Sequence, residues 1–457
     1  MTIRRVLIAN RGEIAMRIIR TCRRLGIETV LAASEADRDS VPARQADRAV
    51  CIGPARASDS YLNVGAIVQA ALAERADAVH PGYGFLSERP ELAKACEAHG
   101  VIFIGPTAAQ IASVGDKLCA RAEAQASEVP VVPGGTVGST AEAVAVARCI
   151  GLPVLVKAVG GGGGRGMKRV ERLEDLPHAI QLAESEAGAA FGDARVYIER
   201  FVTRGRHIEV QVLGDGRGDV IHLGERDCSV QRRYQKLIEE TPAPGLSQSV
   251  RDRLHEAAVR FAERMAYRGA GTVEFLVDLE REAFYFLEMN ARIQVEHPVT
   301  EAVTGMDLVA EQIAIAAGEG LRRRQFDVCR RGCAIECRVN AEDPARGFRP
   351  SPGCVSSVSW AAGEGIRVDT HIEAGAHIPP FYDSLMAKII SHGQDRDTAL
   401  ERMWQAIAGT RIQGVATNLP LHSTVLANRE FQTGGVDTGF LARLLERTPI
   451  YVEAQLG

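Results

Sequence analysis

Thr272-Val-Glu-Phe-Leu-Val-Asp278 and Phe284-Tyr-Phe-Leu-Glu-Met-Asn290 flank the charged turn Glu280-Arg-Glu282, and Ala291-Arg-Ile-Gln-Val-Glu296 follows directly. Two apolar, aromatic-rich runs around a short charged turn predict an antiparallel hairpin. A hairpin centred on Arg281 sets Glu274 opposite Glu288, with Cβ atoms about 5 Å apart. Two carboxylates so placed repel unless a cation lies between them. Asn290 shares the face of Glu288 by the two-residue period of a strand. Glu274, Glu288 and Asn290 thus form a hard oxygen donor set suited to magnesium, the ion that bridges nucleotide phosphates. If the chain stays extended beyond Asn290, Arg292, Gln294 and Glu296 point the same way, against Ala291, Ile293 and Val295. That row would place an anionic substrate beside the metal-bound phosphates.

Upstream of the hairpin the pattern divides. Val6-Leu-Ile-Ala9, Thr29-Val-Leu-Ala-Ala33, Ala76-Asp-Ala-Val-His80 and Val101-Ile-Phe-Ile-Gly105 read as strands. They alternate with helical segments such as the one carrying Ile14, Ile18, Ile19 and Cys22, which predicts a parallel α/β sheet up to about Pro106. The loop after the first strand has no GxGxxG, so a nicotinamide cofactor is not indicated. From about Ile150 the order changes. Pro153-Val-Leu-Val-Lys-Ala158 and Met167-Lys-Arg-Val-Glu171 are strands around Gly160 to Gly166, where six of seven residues are glycine. Such a loop lets backbone N–H groups close over phosphates, although it equally suits a bare hairpin tip. It is not a Walker loop, because Met167 and Lys168 follow Gly166 and a strand comes next. Lys157, at the strand end, is a cation within reach of the same phosphates.

Arg251 to Tyr267 carries Leu254, Ala258, Phe261 and Met265 on one helical face. A strand-rich region from Cys333 to His377 ends in a helix with Leu400, Met403, Trp404 and Ile407 on one stripe. Ile335-Glu-Cys-Arg-Val-Asn340 aligns Glu336, Arg338 and Asn340; an arginine there could stabilise a developing oxyanion or pair with Glu336 and Asp343, and spacing alone favours the pairing.

A net charge of -4 gives no reason to expect nucleic acid or an anionic membrane as partner. No apolar run approaches the ~18 residues of a spanning helix, and the start lacks a signal-peptide pattern. Ten scattered cysteines, most of them in apolar patterns (Cys22, Cys51, Cys149), suit a cytoplasmic chain with buried thiols better than a disulfide framework. The spacing of Cys329, Cys333 and Cys337 is read as core packing rather than a metal site.

Read together, IANRGEIAMRIIR (8–20), HPGYGFLSE (80–88), GDK (115–117), KAVGGGGGRGMK (157–168), RHIEVQV (206–212), ERDCSVQRRYQK (225–236), GAGTVEF (269–275), EMNARIQVEHPVTE (288–301) and ECRVNAEDP (336–344) resemble the biotin carboxylase family of the ATP-grasp superfamily. The resemblance runs through nearly the whole chain in family order. It implies an α/β multi-domain fold: a Rossmann-like N-terminal domain over 1–114, an ATP-grasp domain over 115–330 with a mobile lid at about 132–203, and an α+β C-terminal domain over 331–447.

The resemblance also implies roles. Lys117, Lys157, Gly163 and Gly164 would bind ATP phosphates, Glu199, Arg200, Phe201 and Val202 would border the adenine with His207 nearby, and Tyr234 would stand on the ribose side. Glu274, Glu288 and Asn290 would hold two magnesium or manganese ions. Lys236, Arg292, Gln294 and the Val295 backbone would grip bicarbonate, Glu296 would remove its proton, and Arg338 with Tyr83 would face biotin. The family usually carries His or Asn where Tyr234 stands, and Glu-Lys-x-Leu where Glu199 to Val202 stand. The implied activity is ATP-dependent carboxylation of biotin through carboxyphosphate, most often within acetyl-CoA carboxylase. The chain shows no Ala-Met-Lys-Met biotinylation motif, so carrier and carboxyltransferase are expected on separate chains, with a homodimer as the family's common form. An amino-acid ligase or a purine-pathway ATP-grasp carboxylase would lack RIQVEHPVTE and ECRVNAEDP. A non-catalytic scaffold would have lost one of the charged positions.

Overall fold

Buried strands with no polar face open the chain. In the computed structural model, which describes residues 2–159 and 167–447, β1 (Arg5–Ile8), β2 (Glu28–Ala33), β3 (Arg48–Cys51), β4 (Ala78–His80) and β5 (Ile102–Phe103) form one parallel sheet in the order β3-β2-β1-β4-β5. Val6, Leu7 and Ile8 have no exposed surface, as a strand covered on both faces requires. Helix α1 (Gly12–Leu25) buries the expected Ile14, Ile18, Ile19 and Cys22, and it stops at Gly26, whose φ of 69° is the left-handed cap that glycine tolerates. The sequence reading passed over β3, because this edge strand is mostly exposed and carries no apolar alternation.

A second, smaller unit holds β6 (Gly134–Thr136), β7 (Val154–Ala158), β8 (Met167–Val170) and β9 (Val196–Arg200), ordered β6-β9-β7-β8 and antiparallel throughout. Helices Thr140–Ile150 and Leu176–Phe191 cover it, and its own apolar cluster includes Val154, Val156, Ile180 and Ile198. Gly163 and Gly164, expected to touch phosphate, lie outside the described residues.

The largest sheet has eight strands. It includes β10 (Gly205–Asp215), β11 (Val220–Arg232), β12 (Gln235–Thr241), β13 (Arg268–Asp278), β14 (Ala283–Asn290) and β15 (Cys333–Asn340). The order is β14-β13-β10-β11-β12-β15, followed by strands Leu385–Gly393 and Ile366–Thr370. β12 pairs with β15, so backbone hydrogen bonding crosses residue 331 without a gap.

Helix Gln248–Arg264 packs Leu254, Ala258 and Phe261 into the core as the sequence pattern requires. Helix Arg396–Gly409 departs from its predicted stripe. Met403 and Ile407 are buried, but Trp404 is 53% exposed, because the inward face runs through Ala399, Met403 and Ala406 instead. Cys22 is buried, whereas Cys51 and Cys149 are exposed, one on the edge strand and one on the outer side of its helix. All ten cysteines are free thiols. Among the described residues, no helix is long and apolar enough to cross a membrane.

Glu225, fully buried on β11, fastens the helix to the sheet. It accepts from Arg251 Nε at 2.7 Å and Arg330 Nη1 at 3.1 Å, and its Oε2 lies 2.7 Å from His255 Nε2. Burial alone would raise this carboxyl, but His255, Arg251 and Arg330 outweigh it and hold it at about 2 instead of 4.5. The folded value is depressed, so the stabilisation is full above pH 4.5 and is lost as pH falls toward 2. It amounts to about 3 kcal/mol. Urea denaturation between pH 6 and pH 3 is expected to show a shallower acid loss for Glu225→Gln than for the native chain.

Candidate active site

The hairpin forms with Glu274 opposite Glu288, although its geometry differs from the symmetrical one expected. The innermost pair is Asp278 with Ala283, and a bulge leaves Leu287 unpaired between Phe286 and Glu288. Without that extra residue Glu274 would face Leu287. The extended row, in contrast, ends at Asn290. The chain turns out of the ladder there, and Glu296 stands just before helix His297–Thr304, its side chain turned to Lys236 and Arg338 rather than capping the helix. The polar groups still converge, held by one another. Arg292 donates to Asn290 Oδ1 at 2.7 Å and Gln294 Oε1 at 2.6 Å, and Gln294 Nε2 donates to Glu274 Oε1 at 3.0 Å. Arg292 also reaches Glu88 at 2.8 Å.

At the centre stands Lys236, on β12. Its ammonium contacts Glu274 Oε1 at 2.9 Å, Glu296 Oε1 at 2.7 Å and Glu209 Oε2. Burial disfavours the charge, but the three carboxylates override it and hold the lysine firmly protonated. Burial likewise opposes ionisation of Glu296, yet Lys236, Arg338 and Arg226 keep its carboxyl well below the usual range. Arg338, on β15, donates to Glu296 Oε2 at 2.8 Å and Glu239 Oε1 at 2.6 Å. It therefore does not pair with Glu336 or Asp343, the partners that spacing suggested. Glu336 is fully buried with both carboxylate oxygens unbonded, and burial pushes its carboxyl well above the usual range.

On the opposite flank, His207 Nε2 lies 2.9 Å from Glu274 Oε2, and Lys117 Nζ is 3.8 Å from Glu288 Oε2. Lys157, at the end of β7, is ion-paired with Glu199 on β9. In the same unit, Phe201 lies beneath the Arg169 guanidinium at 4.2 Å, Val202 is buried, and Arg200 is half-buried. Tyr83 donates its hydroxyl to Glu13.

Sequence reasoning missed Glu209, Arg226 and Glu239. All three have no exposed surface and complete the charge balance: Arg226 Nε donates to Glu209 Oε1 at 2.6 Å and also bonds Gln211, Thr272 and Thr300. The signal was present in His207-Ile-Glu-Val-Gln211, whose polar residues alternate with buried Ile208 and Val210. In register, Glu209 lies beside both Glu274 and Arg226.

The donor chemistry fits divalent ions. Glu274 and Glu288 face each other in register, and the Asn290 amide oxygen is turned to the same side by Arg292.

A small antiparallel unit set beside a long antiparallel sheet, with a parallel sheet before both, defines the ATP-grasp ligases that begin in a Rossmann-like domain. Family comparisons agree: residues 2–111 match the biotin carboxylase N-terminal domain, 116–324 the ATP-binding domain of the carbamoyl-phosphate synthase L chain, and 336–443 the biotin carboxylase C-terminal domain. A biotin carboxylase of Nostoc sp. (strain PCC 7120) is 50% identical over 442 residues, 96% of this chain and 99% of that protein. The biotin carboxylase domain dimer of Hydrogenobacter thermophilus 2-oxoglutarate carboxylase, solved with MgADP, ADP and bicarbonate, superposes with a TM-score of 0.94 at 44% identity, covering 99% of this chain and 100% of that one. The Campylobacter jejuni biotin carboxylase in complex with β-γ-ATP gives 0.94 at 45%, covering 97% and 99%. The chain belongs to the biotin carboxylase family.

Tyr234 stands at an instructive place. β11 and β12 are joined by Arg233-Tyr234 alone, with φ of 49° and 67°, a turn that favours Asn and Gly. Tyr234 is 54% exposed there. Tyr234→Asn is expected to raise stability by about 1 kcal/mol, read from the urea midpoint at unchanged slope.

Proposed function

We propose that this chain uses ATP and bicarbonate to form carboxyphosphate, and carboxylates biotin borne on a separate carrier protein. The observation that supports this most directly is the shared position of Lys236 between Glu274 and Glu296, with Arg338 on the far oxygen of Glu296. Groups assigned to nucleotide, bicarbonate and biotin are thereby within one hydrogen-bonded cluster.

In this reading Lys117 and Lys157 bind the phosphates, with Gly163 and Gly164 of the glycine loop over them. Glu199, Arg200, Phe201 and Val202 border the adenine beside His207, with Tyr234 on the ribose side. Magnesium or manganese held by Glu274, Glu288 and Asn290 supplies positive charge against the triphosphate. Lys236, Arg292, Gln294 and the Val295 backbone hold bicarbonate, so that two mutually repelling anions can meet. Glu296 takes the bicarbonate proton. It is ionised throughout the neutral range, and its strong pairing limits its basicity. When Lys236 and Arg338 turn toward incoming anions, that restraint weakens and the carboxylate becomes a better proton acceptor. Carboxyphosphate is unstable in water, so closure of the 132–203 unit would protect it. Carboxyphosphate breaks the bond between its carboxyl carbon and phosphate oxygen to give carbon dioxide and phosphate; the phosphate takes the ureido proton, Arg338, with Tyr83 near it, stabilises the resulting biotin enolate, and the ureido nitrogen bonds to the carbon dioxide.

We further propose that 1–114, 115–330 and 331–447 act as the three functional domains of a cytoplasmic homodimer. It would catalyse the first half-reaction of acetyl-CoA carboxylase in fatty acid synthesis, with carrier and carboxyltransferase on other chains. The second reading, a biotin carboxylase subunit of a two-subunit pyruvate carboxylase or another acyl-CoA carboxylase, is supported by the likeness to the solved biotin carboxylase subunit of a pyruvate carboxylase, with a TM-score of 0.85 at 45% identity. Affinity capture of the biotinylated partner, followed by carboxylation assays with acetyl-CoA, propionyl-CoA and pyruvate, decides between them.

Glu296→Gln is expected to bind ATP within about twofold of the native chain and to lose bicarbonate-dependent ADP release by roughly 10²-fold or more. Near-native turnover removes Glu296 as the base. Glu288→Gln is expected to raise the metal concentration needed for half-maximal rate and to slow every partial reaction, as measured by ADP release across a magnesium titration.

A further inference from the structure

One buried charge has no part in the scheme above. Lys388, on strand Leu385–Gly393, has no exposed surface. Its ammonium donates to the Val295 carbonyl at 2.8 Å and lies 3.1 Å from Glu13 Oε1, in the first turn of α1. Glu13 is itself buried and accepts the Tyr83 hydroxyl. We infer that Lys388, anchored by Glu13, is a positioning residue that fixes the Val295 peptide and so sets the bicarbonate contact.

The segment from Ala291 to Glu296 has left the β ladder, so its peptides are oriented by side chains. Arg292 Nη1 donates to the Ile293 carbonyl at 3.2 Å, and His297 Nδ1 lies 2.8 Å from the Gln294 carbonyl. Both come from within the segment or next to it. The Ala291 N–H is held from afar by Glu88 Oε1 at 3.1 Å, and the Val295 carbonyl by Lys388, past residue 331, which Glu13 of the N-terminal sheet domain anchors. Three parts of the fold therefore meet at one ammonium. A carbonyl held by a cation keeps its peptide plane, here the one joining Val295 to Glu296, and with it the direction of Glu296.

Stability does not require this arrangement. Burying an ion pair costs desolvation that an apolar pair of similar volume avoids. Burial pushes the Glu13 carboxyl up, opposed chiefly by Lys388, and Glu13 Oε2 has no hydrogen-bond partner. Charged groups lie in the same ladder: Lys388 stands opposite Arg338 on one side and Asp369 on the other, and the buried Glu336 and His297 are within electrostatic reach of it. An expensive pair kept in such company, with one bond aimed at a main-chain carbonyl, has the character of a brace for geometry.

The inference rests on the proposed bicarbonate role of Val295, and the test separates the two. Initial rates of ADP formation are measured against bicarbonate and against ATP for the native chain, Lys388→Met and the charge-neutral double variant Glu13→Leu/Lys388→Met. The expected result is a bicarbonate KM raised at least tenfold in both variants, with the ATP KM within twofold of native. The double variant, its pair replaced by apolar groups, is expected to melt within a few degrees of the native chain and still to show the raised bicarbonate KM. A bicarbonate KM within twofold of native in either folded variant overturns the inference. So does a parallel rise of both KM values tracking a lowered melting temperature, which marks a merely structural role. If the native chain itself shows no bicarbonate-dependent ADP formation, the functional reading falls and takes the inference with it.

Discussion

The ammonium of Lys236 in contact with three buried carboxylates is the constraint around which the rest is arranged. Glu209, Glu274 and Glu296 come from β10, β13 and the loop before helix His297–Thr304, and none could be buried as an anion without a cation beside it. One lysine cannot balance three acids, so the sheet supplies more. Arg226 answers Glu209 and Arg338 answers Glu296, while His207 lies against Glu274. Burial pulls the His207 charge down, but the adjoining Glu274 carboxylate raises it again. Each added charge comes from a neighbouring strand, which makes strand register the device that assembles the site.

Register was only partly legible in the sequence. The hairpin and the Glu274–Glu288 pairing followed from composition and the two-residue period, because both runs are apolar, aromatic and bounded by charge. The bulge at Leu287 did not, since any one-residue insertion reads as a slightly different centre. The alternation from Asn290 to Glu296 suggested a strand, and a turn produces the same convergence by a different route. Local patterns fix which residues are polar together; here Arg292, by bonding Asn290 and Gln294, fixes where they go.

Other misses share a cause. Glu209, Arg226 and Glu239 sit in strands buried on both faces, where polar residues look like interruptions of a core pattern until their partners on adjacent strands are known. Arg338 was assigned to acids close in sequence and instead meets Glu239 and Glu296, which only the sheet brings near. Trp404 was placed in an apolar stripe on side-chain character, while the helix turns its smaller alanines inward. Spacing sees one element at a time, and this site is built between elements. The resemblance to biotin carboxylases groups these positions because it reads whole segments in order.

The pairing of β12 with β15 carries a consequence for dissecting the chain. Cutting at residue 331 would strip β12 of its neighbour and leave Gln235–Thr241, with Leu237 and Ile238 buried in the intact sheet, as an unpaired edge. Unpaired margins of that kind recruit strands from other molecules. An isolated nucleotide-binding fragment would therefore tend to self-associate through the seam where its own C-terminal third belongs, and minimised versions of the enzyme should keep both sides of that seam on one polypeptide.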